Sequence, residues 1–310
     1  MDVSHRIRYG KADVKVYRTH AEPLTGITPI PESPFTGRSN TLMAAQLEVV
    51  VRGEVFLDAY TRGDNRLVVA TDTMKNFIHA ASLDSPAATL EGWLHHVGSR
   101  FLDTYPHMER LTMIGRELPF PAALVPASDD GYELSDRLFA RDRNDVSTAS
   151  LELERDGDAG IRITGHACGR VELQMIKITG SAFADFARDE HTTLPERRDR
   201  PLYTWVDIGW RYADSADALG TDASRYVDGQ QVADLAAAVF HEFVSLSIQH
   251  LVHEIGQRML DRWPQLAEVS FEATNRLWDT VAESESDPRV KSYCDPRPPF
   301  GRIGLVMRRG

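Results

Sequence analysis

Cysteine is nearly absent: Cys168 and Cys294 are the only two in 310 residues, and neither sits in a CxxC pair. That excludes a disulfide framework and a cysteine-built zinc site, and it suits a reducing cytoplasm. No apolar run approaches the roughly 18 residues that span a bilayer. The opening MDVSHRIRYGK lacks the apolar stretch of a signal peptide, and the closing GLVMRRG lacks a Ser-Lys-Leu peroxisomal ending. Positive charge is also short, with 35 Lys and Arg against 46 Asp and Glu, a net charge of −11 and a pI near 5.5. A nucleic-acid or anionic-membrane partner is therefore not expected. There is no GxGxxG, P-loop or GxSxG motif, which removes the usual phosphate cradles and the nucleophile elbow. What remains is a chain with 42% hydrophobic and 26% charged residues, ordinary values for a globular protein.

Residues 12–19 alternate in the manner of a strand, and a Pro/Gly-rich loop, PLTGITPIPESPFTGRSN, follows. Strands are expected at 42–53 and 54–64, with Arg52-Gly53 as a hairpin turn, and at 66–70. A short helix starts near Thr71. A second, with Ser85 as its cap and Pro106 as its stop, carries Leu90, Trp93, Val97, Phe101 and Leu102 at helical spacing. A polar turn falls around SDDGYEL. The second half repeats the order: strands at 147–156, 161–180 and 202–213, one long helix over 230–264, then strands at 267–279 and 301–309. The long helix would measure about 50 Å, with an apolar stripe through Val232, Leu235, Val239, Phe243, Leu246, His250, Ile255 and Met259. The chain reads as α+β: two tandem units, 1–145 and 146–310, each an antiparallel sheet with helices on one face, hinged near 142–149. Long hairpins with apolar alternation leave edges that oligomerisation into a barrel would cover.

The junction LVVATDTMKNFIHA, residues 67–80, packs two hydroxyls and a carboxylate at a helix start, where free N–H groups and the positive dipole end favour an anion. Lys11, in RYGKADVKVYR, is a base type that can take a proton from a threonine. Spacing alone does not bring Lys11 to Thr71, and an ordinary cap beside a surface lysine is the plainer account. His250, His253 and Glu254 have helical spacing, but HExxH is absent, because Ile255, Gly256 and Gln257 follow His253-Glu254. A metal site is not expected there.

Several longer stretches, in order, change that reading. RYGKADVKVYR, TRGDNRLVVATDTMKNFI, FARDEHTTLPERRDRPL, LSIQHL and DPRPPFG together resemble the urate oxidase (uricase) family, and LTGITPIPESPFTGR resembles its bacterial branch. The likeness runs from about residue 5 to residue 305. It implies the tunnelling fold (T-fold), in which two α+β units pair in each chain and four chains close a barrel. It also implies a homotetramer with sites at subunit interfaces, no metal and no organic cofactor. The reaction implied is urate, O2 and water going to 5-hydroxyisourate and H2O2.

By that resemblance Lys11 and Thr71 form the catalytic pair. The Asp72 backbone N–H serves the five-membered ring, and Thr71 and Asp72 come from the neighbouring subunit. Phe183 stacks on the purine, with Phe186 expected in the core. Arg200 grips a carbonyl and the adjacent nitrogen with its planar fork, in preference to Arg197 or Arg198. Gln249 pairs with the opposite edge, helped by the Ile248 N–H. Asn275, with Thr71, holds O2 or water. The sequence departs from the family at Arg276 and Leu277, where many members carry a histidine one or two residues after the asparagine; either His250 or a water substitutes, or the rate is low or the pH optimum shifted. Two other readings stay open: a purine-binding pseudoenzyme, and a pterin- or GTP-processing T-fold enzyme, which would need a zinc site.

Overall fold

The computed structural model describes residues 3–128, 130–157 and 160–310. It forms two compact units: residues 1–29, 36–169 and 211–227 make the first, and 30–35, 170–210 and 228–310 the second. The expected polar turn includes Asp129, which lies outside the described residues.

In the first unit β1 (Arg8–Thr19) pairs antiparallel with β2 (Leu42–Arg52), β2 with β3 (Arg110–Glu117), and β3 with β6 (Val146–Arg155). The neighbour of β6 is β7 (Ile161–Lys177). A separate hairpin joins β4 (Ala122–Pro126) to β5 (Tyr132–Phe139). Helices α2 (Thr71–Leu83) and α3 (Leu90–Thr104) lie on the sheet, and α1 (Leu57–Thr61) is a short turn of helix. Their buried stripes meet the inward residues of the strands. Met74, Ile78, Trp93, Leu94, Val97 and Phe101 share one core with Leu47, Val49, Met113 and Leu151. In the second unit the order is β7, β8 (Leu202–Tyr212), β9 (Leu266–Arg276), β12 (Gly301–Arg308). There α4 (Gly229–Glu242) packs on α5 (Ile248–Arg262), and α5 lies on β9 and β12. A small hairpin joins β10 (Thr280–Glu283) to β11 (Lys291–Tyr293).

Each repeat is therefore two strands, two helices and two strands. Strand β6 belongs with the first set, because it pairs with β3. The repeat is visible in residues as well. Helices α3 and α5 both have 15 residues, are capped by Thr89 and Ser247, and carry glycine at the ninth position. A Cβ on Gly98 would stand 2.5 Å from Leu153 Cδ1 and 2.8 Å from Met113 Cγ; one on Gly256 would stand 2.5 Å from Met307 Sδ and 3.1 Å from Phe271 Cε2. In both repeats the glycine lets the helix settle onto the last two strands.

Several local expectations are corrected. Gly53 does not turn a hairpin, since β3 takes the place beside β2 and the chain enters a 3-10 turn, Glu54–Phe56, and then α1. Only Phe56 of that stretch is deeply buried and α1 buries none, so the every-second-residue burial of a strand is absent. Residues 66–70 form no strand: Leu67 is exposed and Val69 alone is buried. The cap of α3 is Thr89, whose hydroxyl accepts from Gly92 N at 3.1 Å, while Ser85 is buried ahead of it. The long helix is two helices. Lys177 Nζ donates to the Phe240 and Phe243 carbonyls at 2.7 Å each, which ends α4, and Ser247 accepts from His250 N at 3.1 Å, which starts α5. The proposed stripe is thereby cut, and Leu246 is exposed.

Candidate functional site

Apart from Asp72, the residues expected to hold a flat ligand belong to the second unit. They come from three segments joined at Ser181. Its carbonyl accepts from Arg200 N at 2.8 Å, its hydroxyl accepts from Ser245 Oγ at 3.1 Å, and the next residue, Ala182, donates its N–H to Ser245 O at 2.8 Å. Both serines are fully buried. Phe183 and Arg197 exchange backbone bonds of 2.7 and 2.9 Å, which fixes the aromatic against the segment leading to Arg200. The Ser245 side continues into Ser247 and the first turn of α5, so Ile248 and Gln249 stand at a helix start. Their N–H groups are among those a helix leaves unbonded.

Arg200 is the informative side chain. It is half-buried, its Nε is buried without a hydrogen-bond partner, and it has no carboxylate partner among the described residues. Burial pushes its guanidinium below the ordinary value. Its guanidinium carbon lies 5.3 Å from the centre of the Phe183 ring. Arg197 and Arg198 are exposed, and Arg198 pairs with Asp185 at 3.4 Å, so the geometry singles out Arg200 among the three. Asp199, which sequence reasoning missed, organises the same loop. Thr179 Oγ1 and Gly180 N each donate to its carboxylate at 2.7 Å, and these bonds hold the carboxyl below the usual range. Phe186 is not a core residue: it is half-buried and stacks on Phe183 with centroids 4.9 Å apart and planes 14° off parallel.

Asn275 lies near the end of β9, opposite Gly301 of β12. A Cβ at 301 would sit 2.8 Å from Asn275 Oδ1, so the glycine leaves space for the amide. Strand alternation turns the next residue to the other face. Buried Val269, Phe271 and Ala273 share the parity of Asn275, whereas Arg276 is clamped on the other face between Trp205 at 3.5 Å and Phe300 at 4.5 Å. Leu277 follows just past the end of β9, and Arg276, held by Trp205 and Phe300, is not turned toward that amide. The expected substitute, His250, packs edge-on against Phe243 at 4.9 Å and lies 3.8 Å from Glu254. In the first repeat the position of Gln249 is taken by Glu91, which is buried and accepts from Tyr226 Oη at 2.8 Å. That helix start is filled by its own chain, whereas Gln249 is exposed.

Lys11, Thr71 and Asp72 belong to the first unit. Lys11 sits on β1 opposite Val49, just before a bulge at which Asp13 takes φ 58°. A Cβ on Gly10 would stand 1.9 Å from Val49 O, so only glycine fits before the lysine. Thr71 is not the N-cap of α2. That position is Ala70, which provides no side-chain hydrogen bond, so the Thr71 hydroxyl is not spent on capping and the first N–H groups lack the side-chain acceptor that α3, α4 and α5 have. Asp72 pairs locally, accepting from Lys75 Nζ at 2.5 Å, and that bond holds its carboxyl low, with a smaller contribution from the charge of Lys11. The side chain is therefore occupied while its backbone N–H remains at the open helix start.

Among the described residues no group of three or more His, Cys, Asp or Glu side chains could hold a metal ion, and no helix is long and apolar enough to cross a membrane. A family model described as Uricase matches residues 166–304. The uricase of Haloferax volcanii is 47% identical over 307 residues, covering 98% of each chain. The uric acid degradation bifunctional protein PucL of Bacillus subtilis is 46% identical over 302 residues, 97% of this chain and 60% of its own length. The chain thus spans about three-fifths of the bifunctional relatives it matches. The crystal structure of urate oxidase from Bacillus sp. TB-90 superposes with a TM-score of 0.93 at 42% identity, covering 98% of this chain and 100% of that one.

Proposed function

The chain belongs to the uricase family, and from that premise we propose that it oxidises urate with O2 and water to 5-hydroxyisourate and H2O2 in purine breakdown. The observation that carries this reading is Arg200: a desolvated, planar guanidinium with no carboxylate partner among the described residues, beside a half-buried aromatic ring. A flat anion that offers a carbonyl beside a ring nitrogen matches both groups. Gln249 and the Ile248 N–H take the opposite edge.

Urate is already a monoanion at neutral pH. Removing a further proton gives an electron-rich dianion that passes an electron to O2, so the purine itself supplies the redox chemistry. Neutral Lys11 takes the proton from Thr71, and Thr71 takes it from urate. The Asp72 N–H holds the five-membered ring, and Asn275 with Thr71 holds O2 or water above it. No metal and no organic cofactor is needed. Four chains assemble so that Lys11, Thr71 and Asp72 of one serve the Phe183–Arg200–Gln249 group of another, in a cytoplasmic setting. The resemblance and the free Thr71 hydroxyl support this division of labour.

Thr71→Ala and Lys11→Met should each cut kcat by about 10²- to 10⁴-fold while a non-oxidisable urate analogue still binds. An unchanged kcat in Thr71→Ala would mean the relay is wrong. Leu277, standing where a histidine is usual, favours one alternative: a protein that binds purines without turning them over. Analogue binding with no O2 uptake from urate would identify it.

A further inference from the structure

Tyr9 lies two positions before Lys11 on β1, and Val69 lies two positions before Thr71 at the start of α2. The structure joins the first members of these pairs: Val69 N donates to Tyr9 Oη at 3.1 Å. Tyr9 and Lys11 share a strand parity, so the bond that holds residue 69 to β1 lies one strand step from the lysine. The ring of Tyr9 is itself fixed, edge-on against fully buried Phe56 with centroids 5.0 Å apart. Phe56 in turn meets His107 edge-on at 6.2 Å, and His107 Nε2 donates to Leu67 O at 2.8 Å. The 67–70 segment is therefore gripped twice, at a carbonyl and at an N–H, by side chains of one aromatic cluster. No regular strand holds it: among the described residues its own backbone contributes a turn bond from Val68 N to Asn65 O at 3.0 Å and, at its end, the first helical bond from Met74 N to Ala70 O at 3.1 Å. The charge of Lys11 is felt at Asp72, which places the lysine within electrostatic range of the first turn of α2.

We propose that Tyr9 is the positioning residue of the Lys11–Thr71 pair: its hydroxyl sets the approach of the helix start to the strand that carries the lysine. This rests on the relay reading above. A proton relay needs heavy atoms within about 3 Å, and misplacement by about 1 Å costs on the order of 100-fold. Loss of one of the two side-chain bonds that hold the segment therefore appears in kcat before it appears in stability.

The test is Tyr9→Phe, which keeps the ring on Phe56 and removes only the acceptor. The expected result is a kcat lower by about 10- to 100-fold, with KM for urate within about threefold and an unchanged tetramer. In a Thr71→Ala background the same substitution should have no further effect, because the group it positions is gone. A kcat within twofold of the parent, or an equal loss in both backgrounds, overturns the proposal. If Thr71→Ala and Lys11→Met retain full turnover, the relay itself is wrong and the proposal falls with it; if they lose turnover and Tyr9→Phe does not, only the positioning role is refuted. Should Tyr9→Phe fail to fold, hydrogen exchange in the unsubstituted protein decides. A Val69 amide that exchanges as slowly as neighbouring α2 amides supports the role, and exchange at open-loop rates overturns it.

Discussion

Replacing Arg200 by lysine separates charge from shape. The backbone of residue 200 donates to Ser181 O at 2.8 Å whatever side chain it carries, and Asp199 keeps its bonds to Thr179 and Gly180, so the loop should hold. What changes is the fork. Two parallel bonds from a guanidinium become one from an ammonium, which is also more costly to desolvate in a half-buried position. A hydrogen bond to a charged group contributes about 1.5–3 kcal/mol, and each 1.4 kcal/mol is a factor of ten, so affinity should fall about 10- to 150-fold. Calorimetric titration with a non-oxidisable urate analogue measures this directly, beside KM for urate and Tm. The expected pattern is a weakened Kd, a raised KM and a Tm within about 2 °C of the parent. A Kd within threefold, or a lost kcat at unchanged Kd, would refute the assignment of Arg200 as the ligand's anchor.

Glu32 straps residues 30–35 to the helices of the second unit: its almost fully buried carboxylate accepts from Arg262 at 2.8 and 3.0 Å and from Arg258 at 3.0 Å. Burial pushes that carboxyl up, but the arginine bonds outweigh it and hold it below its ordinary value. Glu32→Gln should cost about 1–3 kcal/mol at neutral pH, read by urea unfolding. Because the folded value is the lower one, the difference from the parent should be full above about pH 4.3 and fade as pH falls through the folded value; a difference that grows in acid would contradict the pairing. Leu277→His introduces an imidazole just past the end of β9, two residues from Asn275, and a new inflection in the kcat profile near pH 6.5 is expected; an identical change from Arg276→His would show that the clamp of Trp205 and Phe300 does not decide access.

How much of this was legible in the sequence depended on range. The helices at Thr71 and Leu90, the strands around 42–52 and 147–155 and the α+β order follow from periodicity, which is local. The break between α4 and α5 was not legible, because no Pro or Gly marks it; it depends on Lys177, more than sixty residues upstream, reaching the Phe240 and Phe243 carbonyls. The helix start at Thr71 was read correctly but given the wrong cap, since nothing in TDT shows that Ala70 would precede the first turn and leave the threonine hydroxyl free. Lys11, Phe183, Arg200 and Asn275 are singled out through family motifs; composition and spacing alone leave them a surface lysine, a core ring, one arginine of three and a turn residue. Tyr9 and Asp199, each within two residues of a named position, escaped because their roles lie in bonds to backbone atoms far along the chain.

The most direct measurement is the stoichiometry of turnover in metal-free buffer. Loss of the ultraviolet band of urate, O2 uptake and H2O2 release should run together, one molecule of each, with the purified protein and chelator present. Urate loss without matching O2 uptake and peroxide release, or activity that chelator abolishes, would contradict the account.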